Sequence, residues 1–225
     1  MSKKGKLIVV SGPSGVGKSS LIAKAMEKRN DFCFSVSVTT REARPGEKDG
    51  EDYFFISREQ FARMVEAGEL LEHASYVGND YGTPRAYVEQ KREEGFNVVL
   101  DIEVQGAGQV HEMMPEAVMI FVVPPSLEEL EQRLTLRGTE TPEKIRGRLQ
   151  RAKEEYQQAV FYQYIIVNDD LAVAADEFSA IVTASHCLYE DRKNYLTESQ
   201  ERYESRCCIH QWLNLLKRLA AAISL

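Results

Sequence analysis

The sequence has few of the residues that mark metal sites and disulfide-bonded proteins. Among its 225 residues are four cysteines and four histidines, and neither set has the spacing of zinc ligands or of a disulfide framework. We therefore expect reduced thiols in a cytoplasmic protein, and we assign the histidines no catalytic role. No apolar run approaches the ~18 residues that a membrane-spanning helix needs, so no membrane partner is predicted. The apolar stretch before residue 11 is too short for a signal peptide.

Positive charge is also scarce. The chain has 28 lysines and arginines against 35 aspartates and glutamates, which gives a formal net charge of −7. This balance argues against nucleic acid as a partner, because binding through bulk electrostatics needs a basic surface. An anionic ligand must therefore be held by a local cluster of arginine and lysine side chains.

What the chain does contain is a glycine-rich stretch between a strand pattern and a helix pattern. Residues 12–19 fit G-x-x-x-x-G-K-[ST] at every constrained position. Residues 7–10 are typical of a buried strand, and residues 20–29 have helical spacing. In that setting, backbone N–H groups and the positive end of the helix dipole favour phosphate. The residues predicted to bind a nucleoside triphosphate here, which the family resemblance given below identifies as ATP, are Gly12, Pro13, Ser14, Gly15, Val16, Gly17, Lys18, Ser19 and Ser20.

Two side chains of this loop have predicted roles. Lys18 is expected to reach the β- and γ-phosphates, and the Ser19 hydroxyl is expected to ligate Mg²⁺, the predicted cofactor. The loop thus predicts a nucleoside triphosphate ligand. The destination of the phosphoryl group has to come from the rest of the chain.

The remaining pattern predicts an α/β fold. Strand and helix patterns alternate, which indicates a mostly parallel sheet covered by helices. The expected strands are residues 7–10, 34–40, 52–56, 98–102, 118–123 and 164–167.

Between residues 35 and 95 this alternation changes. Short strand patterns follow one another without long helices, which predicts a small mixed or antiparallel lobe inserted after the first strand–helix unit. A helix over residues 84–94 closes the lobe, with Thr83 as its N-cap, Pro84 in its first turn and Gly95 at its C-cap.

Three further helical segments are predicted. Residues 126–136 and 142–159 form a polar, arginine-rich hairpin typical of a mobile lid. One helix is expected over residues 171–195, and a second helical segment is expected from residue 197 to residue 225.

Side chains inside the predicted lobe suit a second nucleotide. Arg41 and Arg44 are candidates for bidentate phosphate recognition in an otherwise acidic protein. Tyr53 and Tyr81 could bond the same phosphate. Glu72 can accept the two N–H bonds that guanine offers, although a lone glutamate is more often a surface charge.

Other polar side chains complete this candidate site. Ser37 and Thr83 suit the O6 and N7 edge of guanine. Asp101 and Glu103 follow an apolar strand, and the carboxyl ends of parallel strands line the ligand crevice. A helix N-cap is the alternative role for Asp101.

Taken together, these stretches resemble the guanylate kinase family of nucleoside-monophosphate kinases. The resemblance runs in order over about residues 6–190. Its motifs are the phosphate loop, Ser37-Val38-Thr39-Thr40-Arg41 with Arg44-Pro45-Gly46-Glu47, Gly50-Glu51-Asp52-Tyr53-Phe54-Phe55, Leu71-Glu72-His73-Ala74, Gly78-Asn79-Asp80-Tyr81-Gly82-Thr83, Leu100-Asp101-Ile102-Glu103, Arg137-Gly138, Arg148-Leu149 and Val167-Asn168-Asp169-Asp170.

The resemblance implies a reaction and an architecture. The reaction is Mg-dependent transfer of the ATP γ-phosphoryl group to GMP, giving GDP and ADP, in purine nucleotide metabolism and GMP recycling. The architecture is a three-layer P-loop nucleoside-monophosphate kinase fold with a parallel core sheet, an inserted mixed α/β GMP-binding lobe and a helical lid. The implied boundaries are 1–34, 97–125 and 160–196 for the core, 35–96 for the lobe, 126–159 for the lid and 197–225 for a C-terminal helical extension.

The resemblance also assigns roles to residues. The residues implied to bind the GMP phosphate are Arg41, Arg44, Tyr53 and Tyr81. Those implied to bind the guanine base are Ser37, Glu72, Thr83, Asp101 and Glu103. The family more often has aspartate at the position of Glu103, so this side chain reaches one methylene further. For ATP, the assignments are Arg137 and Arg148 from the lid and Asn168 near the adenine. The implied catalytic residues are Lys18, Arg41, Arg137 and Arg148.

Some alternatives stay open. A kinase for another monophosphate would turn over AMP or UMP, and dGMP could serve as a second acceptor. A non-catalytic peptide-binding scaffold of this fold would have lost Lys18 or the lid arginines, which are present here. The apolar face of the tail could pack on its own core, form a homo-oligomer contact or lie on a membrane surface. That face is Trp212, Leu213, Leu216 and Leu219.

Overall fold

A computed structural model describes residues 4–76, 78–136 and 141–205, without the side chain of Tyr76. Within these residues the strands are β1 (Leu7–Ser11), β2 (Phe32–Phe34), β3 (Val38–Thr39), β4 (Phe54–Phe55), β5 (Leu70–Tyr76), β6 (Asn79–Pro84), β7 (Asn97–Asp101), β8 (Val118–Val123) and β9 (Tyr164–Val167). The helices are α1 (Lys18–Met26), α2 (Arg58–Glu66), α3 (Arg85–Glu93), α4 (Val104–Met113), α5 (Leu127–Leu136), α6 (Pro142–Gln158), α7 (Leu171–Ser185) and α8 (Tyr189–Ser205). A short 3₁₀ helix (Ala159–Phe161) follows α6.

Five strands form the core sheet, in the order β2-β7-β1-β8-β9, and every pairing is parallel. The central strand β1 is buried along its whole length because it has a neighbour on each side and helices on both faces. Ile8 and Val10 pack with side chains of α1 and α7, whereas Leu7 and Val9 pack with side chains of α3 and α4. The predicted three-layer fold with a parallel core sheet is therefore confirmed.

The inserted lobe has its own sheet, in the order β4-β3-β6-β5. The β3–β4 pairing is parallel, and the other two pairings are antiparallel. Its small core includes Val38, Phe61 and Leu70. The predicted mixed lobe is thus confirmed. The single strand predicted over residues 34–40 is wrong, because the chain leaves the core sheet after β2 and enters the lobe sheet at β3.

Two helical predictions also need correction. Thr83 does not cap α3. Its N-cap is Pro84, and the Thr83 hydroxyl donates to Glu72 instead. The helix expected over residues 171–195 is two helices, because the N–H groups of His186 and Cys187 bond back three residues and tighten the last turn of α7. Sequence patterns missed α2 and α4 altogether.

The lid hairpin matches its prediction as secondary structure. Helices α5 and α6 pack on each other through a small apolar cluster of their own. Ser126 accepts from the Glu129 N–H at 3.1 Å, and Thr141 is the N-cap of α6 before Pro142. These caps fix where each helix begins. The mobility of the lid stays a prediction.

The chain divides into two compact units, Met1–Val182 and Thr183–Leu225. The described part of the second unit consists mainly of α8, whose side chains are exposed. Of the helices in the described ranges, no single one is long and apolar enough to cross a membrane, although α7 and α8 taken as a bent pair pass on length and composition. The helical prediction for residues 206–225 lies outside the described residues.

Candidate active site

The glycine-rich loop joins β1 to α1 and has an unusual backbone. Gly12, Gly15 and Gly17 have φ angles of 145°, 97° and 94°, a region that other residues rarely adopt. Space is limiting as well. A Cβ atom at residue 12 would lie 2.1 Å from the Val122 carbonyl oxygen, and one at residue 17 would lie 2.7 Å from Asn168 Nδ2. Helix α1 has no side-chain N-cap and no acidic residue in its first turn. Its first N–H groups are therefore left for an anion.

The two functional side chains of the loop converge on the end of β7. Lys18 Nζ donates to the Gly12 carbonyl oxygen at 2.8 Å and lies 3.8 Å from Asp101 Oδ1. The Ser19 hydroxyl donates to Asp101 Oδ2 at 3.0 Å. Asp101 does not cap a helix, since the N-cap of α4 is Glu103.

Asn168 supports the loop from behind. Its side chain is buried, and Nδ2 donates to the Val16 carbonyl oxygen at 2.8 Å. The backbone carbonyl oxygen of Asn168 accepts a hydrogen bond from the Arg133 side chain at 2.9 Å. These contacts hold the loop in shape. The predicted contact between Asn168 and adenine stays a prediction.

Side chains of the lid helix α6 reach both ends of this region. Arg148 donates to the Ser14 hydroxyl of the phosphate loop. Arg151 donates to Glu103 Oε2 at 2.7 Å and lies 3.4 Å from Glu155 Oε1. The side chains of Arg151 and Glu103 are both about two-thirds exposed. Arg137, the other predicted lid arginine, lies outside the described residues.

Arg41 in the lobe is held by Glu47, to which the sequence analysis gave no role. Its two terminal nitrogens donate to Glu47 Oε2 and Oε1 at 2.8 and 2.9 Å, and the Arg44 backbone N–H donates to Oε2 at 2.7 Å. The Arg41 guanidinium lies 5.4 Å from the centre of the Tyr53 ring. Tyr53 and Tyr81 are edge to face with centroids 6.1 Å apart. The available signal was the short spacing in the sequence, since Glu47 is an acidic residue only six positions after Arg41.

The Arg41–Glu47 pair fixes the charge of both groups. Hydrogen bonds from the Arg41 side chain, and then from the Arg44 backbone, lower the pKa of Glu47 to about 2. The bond to Glu47 in turn raises the pKa of Arg41. Arg41 is therefore a permanent cation whose fork is already oriented. The Arg44 side chain is exposed.

Glu72 stands in the opposite electrostatic situation. It is 7% exposed, and its Oε1 accepts from the Thr83 hydroxyl at 2.6 Å. Burial raises the pKa of its carboxyl group, and the Thr83 bond opposes that shift only in part. The β5–β6 register shifts between Leu70 and His73, so Glu72 lies in a β-bulge. Such bulges commonly aim a side chain toward a site.

A cavity of about 170 Å³ joins the lobe to the core sheet. Four of the predicted guanylate-site residues line it, namely Ser37, Tyr53, Thr83 and Asp101. Asp101 also accepts from Ser19, so the cavity and the phosphate loop share one carboxylate. The other predicted residues of this site are not among the lining residues. They are Arg41, Arg44, Glu72, Tyr81 and Glu103, of which Glu103 pairs with the lid.

No group of three or more histidine, cysteine, aspartate or glutamate side chains in the described ranges could hold a metal alone. The Ser19 hydroxyl and the Asp101 carboxylate nevertheless form an adjacent pair of hard oxygen donors. Mg²⁺ is typically bound by one or two such groups together with substrate phosphates. The residues therefore fit a nucleotide-bound Mg²⁺ rather than a protein-only metal site.

Comparison with known proteins agrees with this geometry. The family model described as "Guanylate kinase" matches residues 4–185. A guanylate kinase of Lactococcus lactis is 52% identical over 186 residues, which cover 83% of this chain and 91% of the relative. One from Oceanobacillus iheyensis is 48% identical over 190 residues, with coverages of 84% and 92%. The crystal structure of guanylate kinase from Anaplasma phagocytophilum is 40% identical with a TM-score of 0.59, and the match covers 81% of this chain and 87% of that one. The chain belongs to the guanylate kinase family.

Proposed function

We propose that the chain transfers the γ-phosphoryl group of ATP to GMP, giving ADP and GDP, with the donor on the phosphate loop and the acceptor in the lobe. The observation that carries this proposal is the position of Asp101. Its carboxylate accepts from Ser19 of the loop and also lines the cavity that contains Ser37, Tyr53 and Thr83. Two anion sites that share a wall suit direct transfer between two nucleotides.

On the donor side, the loop backbone and the first turn of α1 cradle the ATP phosphates. When ATP binds, the Lys18 ammonium group exchanges its hydrogen bond to the Gly12 carbonyl oxygen for contacts with the β- and γ-phosphates. Arg148 already contacts the loop at Ser14 and adds positive charge from the lid, as does Arg137. Asn168 contacts the adenine in addition to bracing the loop.

Mg²⁺ is the proposed cofactor. Ser19 would ligate it, with Asp101 as the nearby carboxylate. When bound, it would neutralise charge on the β- and γ-phosphates.

On the acceptor side, one group of side chains binds the phosphate of GMP and a second, largely acidic group binds its guanine base. Arg41, Arg44, Tyr53 and Tyr81 hold the GMP phosphate. Guanine is read by Ser37, Glu72, Thr83, Asp101 and Glu103. Glu72 is the central reader, because a buried carboxylate that lacks its N–H partners is costly and so rejects bases without them.

Transfer itself needs positioning and charge neutralisation rather than acid–base chemistry. The acceptor phosphate oxygen is already a nucleophile, so no general base is required. Lys18, Arg41, Arg137 and Arg148 supply the positive charge around the transferring group. Closure of the α5–α6 hairpin would exclude water and limit hydrolysis of ATP.

We further propose the division into core, lobe, lid and C-terminal extension given by the sequence boundaries, and a cytoplasmic setting where both nucleotides are available. For the segment after residue 196 we propose a role in self-association or stability. Truncation after residue 196 should then lower oligomer size or thermal stability while GMP turnover persists.

One assay tests the reaction. ADP release is coupled to a detector with GMP, dGMP, AMP or UMP as acceptor, with and without excess chelator. We expect turnover with GMP, far less with AMP and UMP, and none with the chelator. Equal rates with AMP and GMP would exclude the guanine assignment, and no turnover with any acceptor would favour a binding scaffold.

A further inference from the structure

Helix α4 approaches Glu72 at a glycine. A Cβ atom at residue 106 would lie 2.9 Å from Glu72 Oε2 and 3.5 Å from its Cδ and Cγ atoms. Carbon atoms of side chains hardly ever come that close to an oxygen. The backbone of Gly106 does not have a positive φ angle, so conformational freedom does not explain the glycine. Space does.

The helix cannot easily move away from Glu72. Gln109, one turn after Gly106, bonds to both backbone groups of His73 on β5. Its Oε1 accepts from the His73 N–H, and its Nε2 donates to the His73 carbonyl oxygen, both at 3.1 Å. Ala107 and Val110 of the same helix are buried in one cluster with Leu71 of β5. Contacts on both sides of Glu72 therefore anchor α4 to the strand.

The carboxylate is held on its other side as well. Thr83 is 1% exposed and donates to Glu72 Oε1 at 2.6 Å. A carboxylate pushed at Oε2 must lengthen that hydrogen bond or rotate out of its plane. The two acceptor oxygens of Glu72 are thus placed by Thr83 on one side and by the bare backbone of Gly106 on the other.

We propose that Gly106 is a positioning residue that sets the guanine specificity of the site by leaving room for the Glu72 carboxylate. The inference rests on the proposed role of Glu72 as reader of guanine. Glycine is a poorer helix former than alanine, so its place inside α4 has a cost that this clearance explains. Because the group that must yield to a methyl is the flexible end of one side chain, the fold tolerates the methyl while the reading geometry does not.

Helix α4 offers a matched control. Gly108 lies two residues further on, and a Cβ atom there would meet no described atom within 4 Å. Gly106→Ala and Gly108→Ala are made in the full chain. Both add one methyl and the same helix propensity, so both variants should fold, with Gly106→Ala melting lower because the Glu72 carboxylate is displaced from Thr83.

Steady-state kinetics separate the two variants. We expect Gly106→Ala to raise KM for GMP about tenfold or more, with kcat and KM for ATP within about twofold of wild type, and to reduce the preference for GMP over AMP. Gly108→Ala should match wild type. Gln109→Ala is measured in parallel, since it loosens α4 without adding an atom, and KM for GMP should rise in it as well.

A double-mutant cycle shows whether the effect passes through Glu72. In a Glu72→Ala background, Gly106→Ala should change kcat/KM for GMP less than about twofold. A full additional loss there, or a wild-type KM for GMP in Gly106→Ala, would overturn the proposal. Failure of the proposed function is a separate result, since it would appear as a wild-type enzyme that does not prefer GMP.

Discussion

The proposed donor and acceptor sites would bind phosphate by different means. The donor loop would use the backbone of one continuous stretch, where three glycines with positive φ angles precede the first turn of α1. The acceptor lobe would use side chains that come from separate elements and meet only in the folded chain, such as Arg41 after β3, Tyr53 before β4 and Tyr81 on β6. A backbone site tolerates few changes of residue, whereas a side-chain site can be tuned one group at a time.

Two glutamates show the same contrast inside the lobe. Glu47 is paired with Arg41, and its pKa is lowered to about 2. Glu72 is buried with a neutral hydroxyl partner, and its pKa is raised. One carboxylate orients a cation, and the other is buried against a hydroxyl group. In the proposed site, the first would position a phosphate-binding cation and the second would recognise the base.

The largest expected effect comes from the donor side. Lys18→Ala should lower kcat by about a thousandfold, because a charge aimed at the transferring phosphoryl group is lost. Lys24→Ala is the control, since Lys24 pairs with Glu27 on the outer face of α1 and should leave turnover unchanged. Steady-state ADP release measures both. Similar rates for the two variants would contradict the assigned role of Lys18.

A smaller effect is expected when Arg41 loses its ion pair with Glu47. Glu47→Gln should raise KM for GMP about tenfold and leave KM for ATP unchanged, because the Arg41 fork is no longer held by two charged bonds. Glu51→Gln is the matched control, since Glu51 pairs with Lys48 on an exposed turn. An unchanged KM for GMP in Glu47→Gln would show that Arg41 is held without Glu47.

The pH dependence of this pair follows from the direction of its shift. A carboxyl whose pKa falls on folding, here to about 2, stabilises the fold fully above its unfolded pKa of ~4.3. That contribution is lost as pH falls toward the folded value. Thermal melts of wild type and Glu47→Gln should therefore differ by a constant amount above pH ~5 and converge in stronger acid.

The smallest effect is expected at the contact between lid and core. Arg151→Ala should change kcat and both KM values less than about threefold, because an exposed ion pair contributes at most ~1 kcal/mol. Arg146→Ala is the control on the same helix, with an exposed partner in Glu143. A loss of tenfold or more in Arg151→Ala alone would mean that Glu103 acts in the reaction through this pair.

The sequence predicted the strand, glycine-rich loop and helix of the proposed donor site because this signal is local. Glycines, lysine and serine at fixed spacing suffice when a strand precedes and a helix follows. Four of the five core strands, β1, β7, β8 and β9, were predictable for a related reason, since they are continuous apolar runs. Both depend on residues that are near neighbours in the chain.

For the proposed acceptor site, residue chemistry gave only candidates, and the family resemblance turned them into assignments. Glu72 has no local pattern that separates it from a surface glutamate, and its burial depends on α4, which the patterns missed. Thr83 looked like a helix cap because Pro84 follows it, yet its hydroxyl is engaged by a carboxylate eleven residues away. Contacts of this kind arise from tertiary packing, which periodicity and propensity do not report.

Calorimetric titration of Glu72→Gln tests most directly the claim that donor and acceptor are read by separate parts of the molecule. GMP and ADP are titrated separately into wild type and variant. The expected result is a loss of about tenfold or more in GMP affinity, with ADP affinity within about twofold of wild type. An unchanged GMP affinity, or an equal loss for both nucleotides, would contradict it.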